Sequence, residues 1–296
     1  MTALLRRLAD HGSRYRDPLA VVDWSAADDT APWLPAHLLS LAGLAVQREM
    51  SPEELVRLSR VEFARLCAAG LWLEGLLITR VTAAGFPATS AAETRVILQE
   101  VREETGHGLM FLEMIRRAGL EDVPLLGPTR LLSAVARRLR SDQAEFWAMV
   151  LIGEAVTDAL AVRALRESPG GPPICPVARQ VLDLHHRDEA RHIAAARAFI
   201  DMRAAGMGRV RRARFAALVR WLLRHFLRAT LYPTRESLAT LGLRDPDSVL
   251  RQALACPERR RLAAALAAHP LAVLERGPIG AGSTRARSGV GSGRGV

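Results

Sequence analysis

Residues 185–192 read HHRDEARH, so three histidines, a glutamate and an aspartate lie within eight residues. An α-helix turns by about 100° per residue, so His185, Glu189 and His192 would project within roughly 60° of one another. One helix face then carries an imidazole, a carboxylate and a second imidazole. Such a face is either a solvent-exposed polar stripe or part of a metal site, and the rest of the sequence discriminates between the two.

The end of this stretch repeats a motif that occurs earlier in the chain. The pattern (D/E)-E-x-x-H appears as EETGH at 103–107 and as DEARH at 188–192. Each copy sets a carboxylate and an imidazole one helical turn apart on the same face. A dinuclear iron or manganese site in a helical bundle uses this pair twice and adds one carboxylate from each of two further helices. The repeat therefore predicts a dimetal site rather than a solvated stripe.

Two glutamates in apolar surroundings are candidates for the additional carboxylates. Glu74 lies in LCAAGLWLEGLLI (66–78) and Glu154 lies in FWAMVLIGEAVTDAL (146–160). An unpaired charge in either setting would cost several kcal/mol, whereas a carboxylate that neutralises a cation would not. Asp158 lies one turn after Glu154, so the sequence leaves it open as the alternative ligand from the third helix.

The remaining acids and histidines near these motifs receive other roles. Glu103 and Asp188 are out of line with the ligand face, and we expect each to orient a histidine across the bundle through its second ring nitrogen. Histidines without a matched partner are expected to be surface or packing residues: His37, His186 and His225.

Long helical patterns carry these residues. They are predicted at 51–85, 90–119, 129–167 and 175–205, and no segment alternates like a β-strand. Ser51 with Glu54 and Ser90 with Glu93 have the spacing of capping boxes, while Gly85 and Gly119 are expected to end the first two helices. The sequence therefore predicts an all-α helical bundle with flanking helices.

The ends of the chain differ from this central part. Residues 1–50 are expected to be an irregular segment that wraps the bundle domain, which is predicted to span 51–275. Residues 276–296 are rich in Gly, Ser and Arg and are expected to form a disordered tail. The stretch RVRRARFAALVRWLLRHFLR (209–228) predicts an amphipathic helix with its arginines outward, rather than a nucleic-acid-binding face.

Composition limits the function classes further. The net charge of +10 comes entirely from arginine, part of it in the tail, so it is weak support for nucleic-acid binding. Three widely spaced cysteines, Cys67, Cys175 and Cys256, indicate a reducing compartment and not a disulfide framework. No uncharged apolar run is long enough for a membrane span, and the first residues lack the pattern of a signal peptide. We expect a cytoplasmic protein that binds neither nucleic acid nor membrane.

His185 narrows the class of dimetal protein. It adds a third histidine one turn before Glu189, giving H-x-x-x-E-x-x-H. With this motif the chain resembles the diiron arylamine N-oxygenases typified by p-aminobenzoate N-oxygenase, over about residues 50–205. Members of that family have a ferritin-like bundle whose cluster takes four glutamates and three histidines. Matched in order, the resemblance implies these metal ligands: Glu74, Glu104, His107, Glu154, His185, Glu189 and His192.

The resemblance also implies an activity. Two iron ions would activate O₂ as co-substrate to oxidise an amine, above all an aromatic one, to a hydroxylamine, nitroso or nitro compound in secondary metabolism such as antibiotic biosynthesis. A diiron hydroxylase of C–H bonds and a non-catalytic iron-binding protein remain alternatives. A tyrosyl-radical reductase subunit is disfavoured, because Tyr15 and Tyr232 lie outside the four ligand helices.

The substrate pocket is expected to be apolar. Its predicted lining comes from LWLEGLLI (71–78), GLMFLEM (108–114) and EFWAMVLIG (145–153), which suits a flat aromatic molecule. An arginine is a candidate anchor for a substrate carboxylate, but the sequence singles none out. It also leaves open the electron donor, a homodimeric state, and whether the amine is free or tethered to a carrier protein.

Overall fold

The computed structural model describes residues 2–11, 15–84, 90–122, 130–166, 171–243 and 245–275. Within these ranges the regular elements are helical, and none is a strand. Short 3₁₀ turns occur at Trp24–Ala26 and Ala36–Leu38. The α-helices are α1 (Thr2–His11), α2 (Pro18–Val21), α3 (Ala45–Arg48), α4 (Pro52–Ala83), α5 (Ala91–Arg117), α6 (Arg130–Ala136), α7 (Ala144–Leu165), α8 (Pro176–Ala204), α9 (Arg209–Leu231), α10 (Arg235–Thr240), α11 (Pro246–Ala255) and α12 (Pro257–Glu275).

Four of the long helices form the central bundle. α4 packs along α5, and α7 packs along α8, as expected for sequential helices that are joined by short connections. The two pairs contact each other through α4 with α7 and through α5 with α8. α9 and α12 cover the outer side of α7, so α7 is buried along most of its length. This arrangement confirms the predicted all-α bundle with flanking helices.

The helix ends follow the capping residues in the sequence. Ser51 and Glu54 form a reciprocal capping box at the start of α4, and the Ser90 side chain accepts a hydrogen bond from the Glu93 backbone at the start of α5. α5 stops just before Gly119, whose φ of +69° is the left-handed conformation that commonly ends a helix. α4 ends at Ala83, and the predicted terminator Gly85 lies outside the described residues.

The prediction of one continuous helix over 129–167 is wrong. The chain forms α6 and α7 with a turn at residues 137–143 between them. The carbonyl oxygen of Ser141 accepts hydrogen bonds from Trp147 Nε1 at 2.8 Å and from Arg203 Nε at 2.9 Å. These two hydrogen bonds hold the turn outside the helix. The turn sequence RRLRSDQ contains no Gly or Pro, so the sequence alone does not indicate a helix break there.

The expectation of an irregular N-terminal segment is wrong in part. Residues 2–11 form α1, which packs on α5 and α8 and buries Leu5 and Leu8. Residues 15–50 are irregular apart from short helical turns, and side-chain hydrogen bonds hold them against the bundle. Ser59 Oγ on α4, for example, accepts a hydrogen bond from the Trp33 backbone at 2.9 Å.

α9 has the amphipathic character that its sequence predicts. Phe215, Val219, Leu222 and Phe226 are buried, while the arginines of the opposite face are exposed. No helix among the described residues combines the length and the apolarity required to cross a membrane. The predicted disordered tail, 276–296, lies outside the described residues.

Candidate metal centre

The structure brings all seven predicted ligand residues together inside the bundle. Glu74 comes from α4, Glu104 and His107 from α5, and Glu154 from α7, while α8 supplies the three residues of its H-x-x-x-E-x-x-H motif. None of the seven residues is more than 7% exposed. Four helices thus direct four carboxylates and three imidazoles at one buried place.

Glu104 lies between two of the imidazoles. One of its oxygens, Oε2, lies 3.3 Å from His107 Nδ1, and the other, Oε1, lies 3.1 Å from His192 Nδ1. His107 Nδ1 also lies 4.0 Å from Glu74 Oε1, and His192 Nδ1 lies 3.6 Å from Glu189 Oε1. Glu104 therefore has an imidazole beside each of its oxygens, and both oxygens would be available to hold metal ions together with His107 and His192.

His185 faces the same cluster, and its neighbour in the sequence does not. His185 Nε2 lies 3.0 Å from Glu189 Oε1, and its ring centroid lies 5.0 Å from that of His107. The side chain of His186 is instead 41% exposed and is paired with Asp158. Asp158, the alternative ligand from α7, is therefore engaged outside the cluster, whereas Glu154 lies within it.

Donor atoms within the cluster approach one another closely enough to share cations. Three sets each have one donor atom per residue, all within 4.8 Å of one another: Glu74, His107 and His185; Glu104, His107 and His192; Glu154, His185 and Glu189. The three histidines that the sequence left without a matched partner, His37, His186 and His225, belong to none of these sets. His225 packs on Trp221, with ring centroids 4.0 Å apart, and His37 lies in the N-terminal segment.

Several of these atoms are buried and form no well-aligned hydrogen bond, although some of them lie close to one another: Glu74 Oε2, Glu104 Oε1, both Glu189 side-chain oxygens and His192 Nδ1. Buried polar atoms in folded proteins nearly always have partners, because an unpaired group in an apolar interior is costly. Cations would satisfy all five atoms at once. Oxygen and nitrogen donors in this number suit iron or manganese, so the residues fit a dimetal cofactor.

The second ring nitrogens of two histidines face acids on the opposite helix, as the sequence predicts. His107 Nε2 on α5 lies 3.2 Å from Asp188 Oδ2 on α8, and His192 Nε2 on α8 lies 3.2 Å from Glu103 Oε2 on α5. Each acid precedes a candidate ligand glutamate on its own helix. Such contacts fix the orientation of a ligand ring and raise its basicity.

Sequence reasoning missed a buried ion-pair group beside this arrangement. Arg191 pairs with both Glu100 and Glu103, and its side chain is only 13% exposed. The positive charge of Arg191 offsets the negative charges of Glu100 and Glu103 beside His192. The sequence signal for this group is that Glu100, Glu103 and Glu104 lie along one stripe of α5, which calls for a nearby cation.

Burial and neighbouring charges shift the protonation of the cluster. Burial raises the pKa of Glu74 well above its usual value, and the charge of Glu104 adds to this. Burial and the charge of Glu189 likewise raise the pKa of Glu154 well above its usual value. Burial lowers the pKa of His107, but hydrogen bonds to Asp188 and Glu104 outweigh it and raise that pKa to about 10. Without cations, the cluster therefore holds protons that metal ions would displace.

A cavity of about 50 Å³ adjoins the cluster on the side of Glu74, Glu154 and His185. Its walls are mainly apolar and come from α4, α5, α7 and α8: Phe63, Leu66, Cys67, Gly70, Leu73, Phe111, Thr157, Leu160, Ala161, Val181 and Leu182. The predicted lining from α4 and α5 is confirmed at Leu73 and Phe111. The predicted lining by 145–153 is wrong, because α7 turns its following residues to the cavity and packs 145–153 into the core.

A four-helix arrangement with two Glu-x-x-His pairs and two further glutamates is that of the ferritin-like dimetal carboxylate proteins. The sequence matches the family described as "P-aminobenzoate N-oxygenase AurF" over residues 2–276. This match covers nearly the whole chain, and the chain belongs to that family.

Similar solved structures have the same fold. Two variants of an R2-like ligand-binding oxidase with a reconstituted Mn/Fe cofactor superpose with TM-scores of 0.57 and 0.55, at 13% and 11% identity, over 93% of this chain and 94% of theirs. A further variant with an Fe/Fe cofactor gives a TM-score of 0.53 at 13% identity, covering 94% of this chain and 93% of its own. At these identities the likeness shows that the chain shares the helical-bundle fold of these structures.

Relatives at the sequence level are uncharacterized mycobacterial proteins. One from Mycobacterium tuberculosis is 28% identical over 231 residues, which is 74% of this chain and 66% of the relative. One from Mycobacterium bovis is 29% identical over 208 residues, which is 66% of this chain and 59% of the relative. The chain thus spans less than two thirds of the length of either relative.

Proposed function

We propose that the protein is a non-haem diiron N-oxygenase, which uses O₂ to oxidise the nitrogen of an amine, above all an aromatic one. The observation that carries the proposal is the third imidazole of the cluster. His185 Nε2 lies 3.0 Å from Glu189, and His185 also lines the cavity. Membership of a family named for p-aminobenzoate N-oxygenation supports the same reaction class.

The proposed iron ligands are the seven clustered residues: Glu74, Glu104, His107, Glu154, His185, Glu189 and His192. Two iron ions held there would supply the binding and reduction of O₂. Asp188 and Glu103 hold two of the ligand rings in place through their second nitrogens. The surrounding bundle excludes water, since every ligand is buried.

The cavity determines how an amine approaches. Glu74, Glu154 and His185 form the inner wall, and apolar side chains from the four bundle helices form the rest. A hydrophobic amine therefore enters with its nitrogen toward the cluster and its ring against the apolar walls. The proposal includes a cytoplasmic location, a role in secondary metabolism and an external electron donor, and it accommodates a free or a carrier-tethered amine.

Oxygen labelling tests the reaction. Iron-loaded protein is chemically reduced, mixed with a panel of arylamines and alkylamines, and exposed to ¹⁸O₂. We expect hydroxylamine, nitroso or nitro products that carry the label on nitrogen. Labelled phenols or alcohols would show a C–H hydroxylase instead, and ferric mineral growth without an organic product would show iron storage; both outcomes contradict the proposal.

A further inference from the structure

Among the described residues, the cavity beside the cluster is lined by no arginine that could pair with an anionic substrate. Its titratable lining residues other than Cys67 are Glu74, Glu154 and His185, which belong to the proposed iron site. None of the arginines among the described residues lines it, and the sequence contains no lysine. The arginine that the sequence left open as a carboxylate anchor is therefore not found at this cavity.

The arginine nearest in sequence to the cavity wall is committed elsewhere. Arg65 immediately precedes the lining residue Leu66, but its guanidinium donates to the backbone oxygens of Tyr232 at 3.2 Å and Ala229 at 3.5 Å. These bonds hold Arg65 against the end of α9. It does not take part in the wall of the cavity.

The polar lining groups outside the cluster are weak or already engaged. The Thr157 hydroxyl contacts the backbone oxygens of Gly153 and Glu154 at 3.1 and 3.0 Å, so it donates within its own helix. Cys67 contributes a thiol, which is a weak donor. Burial raises the pKa of that thiol well above its usual value, so it remains neutral. Neither group would compensate a carboxylate that has lost its water.

The position of the cluster decides where a substituent on the amine would lie. The nitrogen has to reach the inner wall at Glu74, Glu154 and His185, which are at most 7% exposed. Leu66 and Leu182 are half-buried lining residues, so they mark the more open side of the cavity, and a group at the opposite end of an aromatic ring would lie toward them. A carboxylate at that end would lose part of its water to leucine side chains, and no cationic group among the described lining residues would compensate the loss.

We infer that the substrate is an uncharged apolar amine and that the protein discriminates against arylamines bearing a carboxylate, p-aminobenzoate included. This inference rests on the proposed function and names the substrate class of the same site. The cavity of about 50 Å³ is smaller than the roughly 150 Å³ that holds one benzene in an apolar protein interior. Wall side chains must therefore move when an aromatic amine binds, and half-buried Leu66 and Leu182 have space to do so.

A matched pair of substrates tests the inference. 4-Aminobenzamide and 4-aminobenzoate differ little in shape, and only the second is anionic at neutral pH. We expect kcat/KM for N-oxidation to be about a hundredfold or more higher for the amide, with p-toluidine and methyl 4-aminobenzoate behaving like the amide. Equal or better use of 4-aminobenzoate would overturn the inference while leaving the proposed N-oxygenase standing. Absence of N-oxidised product from every amine would overturn both.

A charge-supplying variant gives a second test. Leu182→Arg introduces a guanidinium at the half-buried wall, and the long side chain can keep its head toward water. We expect the ratio of kcat/KM for 4-aminobenzoate to that for 4-aminobenzamide to rise about tenfold or more. Leu131→Arg is the control, because Leu131 is 56% exposed on α6 and does not line the cavity. An unchanged ratio in an iron-loaded, folded Leu182→Arg protein would overturn the inference.

Discussion

Asp188 and Glu103 show how single residues prepare the cluster. Asp188 lies 3.2 Å from Nε2 of His107, and Glu103 lies 3.2 Å from Nε2 of His192. Each acid therefore orients a histidine ring on the opposite helix. The side chain of Asp188 is 35% exposed, whereas His107 is fully buried. The aspartate therefore connects a buried ligand ring to the surface of the bundle.

Neutralising this aspartate should weaken metal binding without removing a ligand. For Asp188→Asn we expect iron affinity to fall about 10- to 100-fold, because the amide cannot raise the basicity of His107 as a carboxylate does. Competition with a chelator measures the change. Asp183→Asn is the control, since Asp183 lies on the same helix and pairs with the exposed Arg187. Equal affinities for the two variants would contradict the role of Asp188.

The protons held by the cluster predict how iron loading depends on pH. Hydrogen bonds to Asp188 and Glu104 raise the pKa of His107 to about 10, so this imidazole is protonated at neutral pH, and burial raises the pKa values of Glu74 and Glu154 well above their usual range. Metal binding must displace those protons. We expect affinity to increase with pH and proton release on binding, measurable by calorimetry in buffers of different ionisation enthalpy. Proton uptake, or affinity independent of pH, would contradict this.

At the scale of the helices, close approach between α4 and α7 positions two of the carboxylates. An added Cβ at Gly153, next to Glu154, would overlap Leu73, next to Glu74. The glycine thus lets the two helices meet where each carries a candidate ligand. Gly75 on the other side of Glu74 has nothing within 4 Å of such a Cβ.

These two glycines form a matched pair. Gly153→Ala should destabilise the protein by about 1–3 kcal/mol through overpacking and should lower iron content by separating the helices. Gly75→Ala should stabilise it by up to about 1 kcal/mol, because the exposed site accepts a methyl group and alanine favours the helix. Urea denaturation and iron analysis measure both effects. A Gly153→Ala protein with unchanged stability and iron would contradict the close-contact account.

Elements that follow local rules were predictable from the sequence, and those fixed by tertiary contacts were not. The helix faces that carry the candidate ligands, and the starts of α4 and α5, follow from periodicity and capping residues, whereas the full set of seven ligands, with Glu154 in place of Asp158, follows from the family resemblance. The turn at 137–143 depends on bonds from Trp147 and Arg203 to a carbonyl, which no local pattern encodes. Thr157 and Ala161 of α7 line the cavity because of the orientation of α7 about its own axis, which packing against the other helices determines and the local sequence does not.

At the scale of the whole molecule, one buried arginine joins three distant segments. Arg259 on α12 is 1% exposed, and its guanidinium donates to the carbonyl oxygens of Leu38, Leu39 and Leu231. It links the C-terminal helix to the N-terminal segment and to the end of α9. Burial lowers the pKa of this guanidinium.

Removing this link should destabilise the fold. Arg259→Met leaves three buried carbonyl groups without their donor, and at about 1–3 kcal/mol for each buried group left unsatisfied we expect a loss of about 3 kcal/mol or more. Arg260→Ala on the exposed side of the same helix should change the free energy of unfolding by less than about 0.5 kcal/mol. Urea denaturation compares the two, and equal stabilities would contradict the linking role.

The number of iron ions bound per chain is the sharpest test of the site, because seven buried residues are proposed to hold two ions. After anaerobic loading and removal of unbound metal, we expect about two irons per chain for the unaltered protein and for His186→Ala. We expect fewer for His185→Ala, and almost none for the double variant of Glu104→Ala and Glu189→Ala. A folded double variant that still holds two irons would contradict the assignment of the site.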